Sequence, residues 1–295
     1  MSFVNIFNAL EQFPAFLYFS FTILGLLVGS FLNVVIYRLP VMMQRDWKSQ
    51  CCDLLEIEDQ TQQGSESFNL VLPNSRCPKC DHAIKPWENI PVISYLFLRG
   101  KCSSCSTPIS IRYPIIEAVT GALSLVIALQ FGISWLSLSL LVLTWCLIAL
   151  TMIDVDTQLL PDSITLPLMW LGLIVNFFGG LTSFEDAFWG AIAGYMSLWS
   201  VFWCFKLITG KEGMGFGDFK LLAALGAWMG WQALPTIIIM SSLVGAVIGV
   251  GMILIQGRDK NTPIPFGPYL AIAGWITLLW GDQIASSYLQ FAGLK

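Results

Sequence analysis

The sequence predicts an all-α polytopic membrane protein, with about eight transmembrane helices and one small extramembrane domain between the first helix and the second. Three observations carry this reading. Hydrophobic residues make up 56% and charged residues 12% of the 295 positions, and the mean hydropathy is +0.70. The apolar residues gather in runs close to the roughly 20 residues that cross a bilayer core as a helix. A single long polar segment, 38–112, interrupts them and carries two closely spaced cysteine pairs. Such a composition excludes an ordinary soluble domain, and no nucleic-acid partner is expected.

The apolar runs fall at 14–37, 113–131, 135–153, 163–180, 187–208, 219–232, 234–256 and 268–288. The first is too long for the core of a signal peptide, and no small-residue cleavage site follows it, so it is expected to remain as a span. The run at 219–232 is short, which predicts a tilted, broken or partly interfacial helix. Basic residues orient the bundle. Nine of the fifteen Lys and Arg lie from Arg38 to Arg112. With all eight runs crossing, Lys206, Lys211, Lys220, Arg258 and Lys260 join them on one side, leaving only Lys295 opposite. That side is expected to be cytoplasmic, with both termini outside.

Within the polar segment, Cys77 and Cys80 form one Cys-x2-Cys pair, and Cys102 and Cys105 form a second. Two such knuckles supply the four thiolates of a tetrahedral structural zinc site. A reducing cytoplasm disfavours disulfides, and a redox dithiol would leave the second pair unexplained. The domain is too small for a large core, so metal is expected to supply much of its folding energy. His82, the only histidine, is a weaker candidate ligand, and its solitude argues against histidine-based nucleophilic catalysis. Cys51 and Cys52 read as unpaired thiols, and Cys146 and Cys204 as small buried hydrophobes in apolar runs. The stretch 41–72 reads as a flexible or helical polar insert.

Two aspartates stand where apolar runs meet water: Asp154 in IDVDTQLLPD and Asp218 in GMGFGDFK. A carboxylate at such a boundary is costly unless it is solvated, paired or used. On the predicted topology both lie at the cytoplasmic surface, where two facing carboxylates can share a proton and act as acid and base. Taken alone, either also fits a solvated residue at a helix end. Asp156 and Asp162 read as loop or cap residues, with Asp162 or Ser163 available to cap the next helix. Gly213, Gly215 and Gly217 allow close backbone approach beside Asp218. Asp218 is expected to open a helix and Asp154 to close one. The helix dipole therefore predicts the charge on Asp218 and the shared proton on Asp154.

These blocks recur in order: GSFLNVVIYRLP (29–40), the paired cysteines, NIPVISYLFLRGKC (89–102), IRYPIIEAVTG (111–121), IDVDTQLLPD (153–162) and GMGFGDFKLLAALGAW (213–228). In this respect the chain resembles the type IV prepilin peptidases, aspartic peptidases of the Gly-x-Gly-Asp membrane type found in type IV pilus and type II secretion systems. The resemblance implies catalysis by Asp154 and Asp218. It implies cleavage of the basic leader of prepilins and pseudopilins after a Gly, then methylation of the new N-terminal residue, usually Phe, with S-adenosylmethionine as donor. It places the protein in the bacterial inner membrane, in contact with lipid.

The expected domains are the first span, 1–37; a zinc-binding, methyltransferase-associated segment, 38–112; and a transmembrane aspartic peptidase, 113–295. Arg38, Arg112 and Glu117 are weak candidates for the methyl-donor site, with a structural pairing to Arg112 or Arg38 slightly favoured for Glu117 over a direct chemical role. The rival readings are a leader peptidase without methyl transfer, a transporter with a zinc-ribbon domain, and a scaffold that binds secretion partners through the zinc module. Neither of the last two accounts for the two aspartates.

Overall fold

The computed structural model of the chain describes residues 14–57, 68–256, 265–291 and 293, with the side chains of 252–256 and 291 excepted. Among the described residues the regular structure is helical, and extended pairing is confined to two isolated bridges, Arg76 with Ala83 and Lys101 with Pro108. The all-helical expectation is met. The chain divides into two compact units, Met1–Trp145 and Cys146–Lys295.

The first unit contains α1 (Pro14–Leu54), a 3-10 turn (Pro86–Asn89), the short α2 (Ile93–Phe97) and α3 (Arg112–Phe131). It also holds the start of α4 (Trp135–Thr157). α1 runs through Pro40 and on to Leu54, well past the predicted end of the first span at 37. Pro40 removes one backbone donor, but VMMQRDWKSQCCDL beyond it contains no glycine and many good helix formers. The start of the insert at 41–72 is therefore helical, while 58–67 lie outside the described residues. α1 and α3 pack through small residues, because a Cβ at Gly29 would stand 2.8 Å from Glu117 Cα and 3.0 Å from Thr120 Cβ. Trp145 of α4 donates its indole N–H to Ser124 Oγ on α3 at 3.0 Å.

The second unit is built round one buried helix. Its elements are the rest of α4, α5 (Asp162–Phe177), α6 (Phe184–Thr209), α7 (Phe216–Met229), a 3-10 turn (Trp231–Ala233), α8 (Leu234–Gln256) and α9 (Gly267–Phe291). α7 has only 14 residues, about 21 Å of helix, which accounts for the short sixth apolar run. Phe219 and every residue from Leu221 to Trp228 are buried. Backbone meets backbone where Gly190 of α6 faces Gly226 of α7, since a Cβ on either would strike the other's carbonyl.

Polar groups lock the far end of α7. Asn176 Nδ2 donates to the carbonyls of Ala227 and Trp228 at 2.8 and 2.9 Å. Its Oδ1 accepts the N–H groups of Leu181 and Thr182 at 2.8 and 3.1 Å. Trp228 donates its indole N–H to the Leu168 carbonyl at 2.9 Å. Every polar atom of the Asn176 side chain is thereby used, as a buried amide requires.

Among the described residues, five helices are long and apolar enough to cross a membrane, at Pro14–Leu54, Arg112–Phe131, Trp135–Thr157, Phe184–Thr209 and Trp231–Gly251. The apolar α5 is shorter. Large hydrophobic side chains stand exposed along these helices, among them Phe19, Phe31, Trp170, Trp189, Leu243 and Val247. In water such a surface would aggregate, whereas in a bilayer it is the solvated face.

Candidate active site

α4 ends because Gln158 turns into the left-handed region, with φ 56°, and its N–H caps the Asp154 carbonyl at 2.9 Å. Asp154, within the last turn, is buried at 4% exposure, while Asp156 on the same turn is exposed. The chain then runs through Leu159, Leu160 and Pro161 into α5. Pro161 is the N-cap of α5 and no side chain caps that end. Asp162 is therefore not the expected cap, because its carboxylate accepts Lys220 Nζ at 2.7 Å on both oxygens. That ion pair ties the start of α5 to the first turns of α7.

Asp218 is the third residue of α7, after the N-cap Gly215, and is 6% exposed. Its Oδ2 lies close to Gly215, 3.8 Å from where a Cβ on that residue would stand. Oδ1 of Asp218 is buried with no hydrogen-bond partner among the described residues. The two carboxylates lie near enough for the charge of Asp154 to act on Asp218. The structure thus brings together the pair that the boundary positions singled out.

A third segment completes this corner and was not legible beforehand. At the start of α9, the backbone N–H of Gly267 donates to Asp154 Oδ2 at 3.0 Å, across 113 positions of chain. A Cβ at Gly267 would stand 2.6 Å from that oxygen. Leu160 wedges in beside it: its Cδ1 lies 3.1 Å from where a Cβ on Gly267 would be, and its Cβ lies 2.7 Å from where one on Gly217 would be. The signal in the sequence is Pro-Phe-Gly-Pro, 265–268, directly before the last apolar run, which marks a turn into a helix.

The cysteine site lies in the first unit. Each knuckle is closed by the same contacts. Cys77 N–H donates to the His82 carbonyl and Cys102 N–H to the Thr107 carbonyl, both at 2.9 Å. Asp81 and Ser106 take the positive φ of these turns, 56° and 57°. The Sγ atoms of Cys77, Cys80, Cys102 and Cys105 lie within 4.8 Å of one another, with Cys77–Cys105 at 3.8 Å and Cys80–Cys102 at 3.9 Å. All four are free thiols. A tetrahedron of Zn–S bonds near 2.3 Å has edges of about 3.8 Å, so the cluster fits a metal of this size.

Thr107, through its hydroxyl and then its backbone N–H, pulls the Cys105 thiol down to about 6, whereas Cys80, among its neighbouring thiols, is pushed up to about 11. His82 is not part of this cluster. Its Nε2 lies 3.2 Å from Glu88 Oε2 and 3.3 Å from Ser103 Oγ. The Lys85 backbone N–H, then Ser103 and His82, hold Glu88 well below the usual carboxylate range, at about 2. Glu88 therefore braces one knuckle against the other.

Arg38 and Glu117 are engaged with backbone. Arg38 donates to the carbonyls of Asn69 and Pro73 at 2.9 and 2.6 Å. Glu117 accepts the Val92 N–H at 2.8 Å. Both are buried, and they fix the segments that lead into and out of the cysteine knuckles. Arg112 is the first residue of α3.

Residues 23–131 match the family model described as the bacterial peptidase A24 N-terminal domain, and residues 141–250 match the model described as the type IV leader peptidase family. The chain belongs to the type IV leader peptidase family. Among its relatives are proteins named prepilin leader peptidase/N-methyltransferase. That of Stutzerimonas stutzeri is 64% identical over 272 residues, covering 92% of this chain and 93% of the relative. That of Pseudomonas aeruginosa is 61% identical over 273 residues, with 92% and 93% covered. That of Aeromonas hydrophila is 55% identical over 274 residues, with 92% and 94% covered. No solved structure matches the chain. Both aspartates of this leader peptidase fall inside the second matched region, whereas Gly267 lies beyond it.

Proposed function

We propose that this chain is the membrane enzyme that removes the leader from prepilins and methylates the new N-terminus, with Asp154 and Asp218 as the catalytic pair. The observation that carries the assignment is the pair itself. Two carboxylates from the ends of α4 and α7 are buried, and Leu160 joins their surroundings by packing against both Gly217, beside Asp218, and Gly267, which binds Asp154. In hydrolysis, the ionised carboxylate takes a proton from water as the oxygen attacks the scissile carbonyl carbon, and the protonated one donates to the carbonyl oxygen. Collapse of the tetrahedral intermediate breaks the C–N bond as one of its two hydroxyls returns a proton to the second carboxylate, and the departing amine takes up the proton held by the first. The products are one carboxyl group and one amine, with both aspartates restored.

The basic residues favour eight spans with segment 38–112 and both aspartates at the cytoplasmic face of a bacterial inner membrane. In that setting a substrate's apolar helix packs in the bilayer while its basic leader stays in water, and the scissile bond arrives at the depth of the carboxylates. Pseudopilins, which share this layout, are expected substrates as well.

Cys77, Cys80, Cys102 and Cys105 would hold a structural zinc ion, four thiolates leaving no position open for chemistry. We assign methyl transfer to this domain and the adjoining ends of α1 and α3. Arg38 and Glu117 hold that junction in shape, and Arg112 stands at its edge. S-adenosylmethionine supplies the methyl group, and the free amine of the cleaved pilin is the nucleophile.

The test is mass spectrometry of a prepilin incubated with membranes that contain the wild type, Asp154→Asn or Asp218→Asn. The wild type is expected to yield mature pilin with one added methyl, and each variant to cleave about a thousandfold more slowly or worse. Wild-type cleavage by either variant would remove that aspartate from the site.

A further inference from the structure

Hydrogen bonding divides the two aspartates unequally. Asp154 Oδ2 accepts a buried, direct bond from Gly267 N–H at 3.0 Å. On Asp218, by contrast, Oδ1 is buried without any partner among the described residues. A short N–H donor favours the ionised form of the carboxylate it meets, and a buried oxygen with no donor favours the protonated one. The dipole of α7 pulls the other way, toward charge on Asp218, but its effect is weaker than a direct charge-assisted hydrogen bond. The assignment drawn from helix polarity alone is thereby reversed.

We propose that Gly267 is a positioning residue of the peptidase, whose backbone N–H holds Asp154 as the ionised group that activates water and so leaves the proton of the pair on Asp218. The proposal rests on Asp154 and Asp218 being the catalytic pair. The proton then sits on Oδ1 of Asp218, the oxygen free to donate to the scissile carbonyl. Gly267 is confined to glycine because a Cβ there would stand 2.6 Å from Asp154 Oδ2. Leu160, wedged against Gly217 and Gly267, keeps the three segments in register.

Among the described residues few other charges compete. On the surrounding elements are Asp156, exposed on α4 itself, the Asp162–Lys220 ion pair of α5 and α7, and the Lys206–Glu212 pair at the end of α6. The two ion pairs offset their own charges. Tyr269 on α9 is a neutral phenol over the acidic and neutral range.

The experiment replaces Gly267 by glycolic acid in the full-length enzyme in lipid nanodiscs. This turns one amide into an ester and deletes the N–H at nearly unchanged shape. Leader cleavage is followed from pH 4 to 9, and methylation of a pre-cleaved pilin serves as the check that the chain is folded. The expected result is normal methylation, with the acidic limb of kcat/KM for cleavage moved up by about one pH unit. An unmoved acidic limb in an ester enzyme that still cleaves overturns the proposal.

Isotope-edited infrared spectra of the carboxyl groups decide the case if the ester chain does not accumulate. The protonated-carboxyl band is expected to survive in Asp154→Asn and vanish in Asp218→Asn. The reverse pattern overturns the proposal. The assignment of the catalytic pair fails separately, by cleavage in either Asn variant.

Discussion

The cysteine cluster and the aspartate pair solve the same problem, bringing four or two ionisable groups together, by opposite means. The cysteines come from two short turns, each closed within six residues by its own backbone hydrogen bonds. The aspartates come from the ends of two helices, with a third segment reaching in from 113 residues away. The first site needs local turn geometry and a metal. The second needs helices packed to within a few tenths of an ångström. A local site tolerates change elsewhere in the chain, whereas a site assembled from distant helix ends fails whenever its packing fails.

The largest separable effect should come from the cysteines. Cys80→Ser, or chelation of the metal, is expected to abolish metal binding and methyl transfer, because structural zinc supplies about 10–16 kcal/mol to comparable small sites. Leader cleavage is expected to stay within about threefold of wild type, as for sites that share no partners. Metal content and product mass, measured on the same preparation, check both halves. Loss of cleavage equal to the loss of methylation would erase the contrast between the two regions.

A smaller change attacks the other region. Trp228→Ala leaves a cavity behind α7 and removes the indole bond to Leu168. A loss of about 3–5 kcal/mol is expected, read as a lower unfolding midpoint together with loss of cleavage, while metal content is retained.

The smallest effect sharpens the picture of the cysteine domain. Glu88→Gln weakens the brace between the knuckles. The Glu88 carboxylate is depressed from 4.5 to about 2, so its stabilisation is fully present above pH 4.5 and disappears as pH falls through 2. Amide exchange at Lys85 is expected to be faster in the variant at pH 7, with the difference shrinking in acid.

What the sequence discloses follows the same division. The four cysteines are legible because their chemistry and their spacing both lie along the chain. Asp154 and Asp218 are legible because a carboxylate at the edge of an apolar run has few inexpensive reasons to be there. Gly267 is not, since it acts through a backbone N–H that every residue but proline carries, and only folding reveals which carboxylate it meets. Asp162 reads from sequence as a loop or cap residue because its partner, Lys220, is 58 positions away. The first span is read to end at 37, where the polar segment begins, but α1 runs on through Pro40, because one lost backbone bond does not end a helix whose other bonds remain.

The shortness of α7 has a consequence for the membrane itself. About 21 Å of helix falls short of a hydrocarbon core of about 30 Å, and a helix clad in lipid would have to tilt or thin the bilayer to fit. α7 is clad in protein instead, its ends set by Gly215 and Gly230. The altitude of Asp218 is therefore gauged by its neighbouring helices and not by the lipid. Membranes of different thickness must flex around this enzyme, and Asp218 stays level with Asp154.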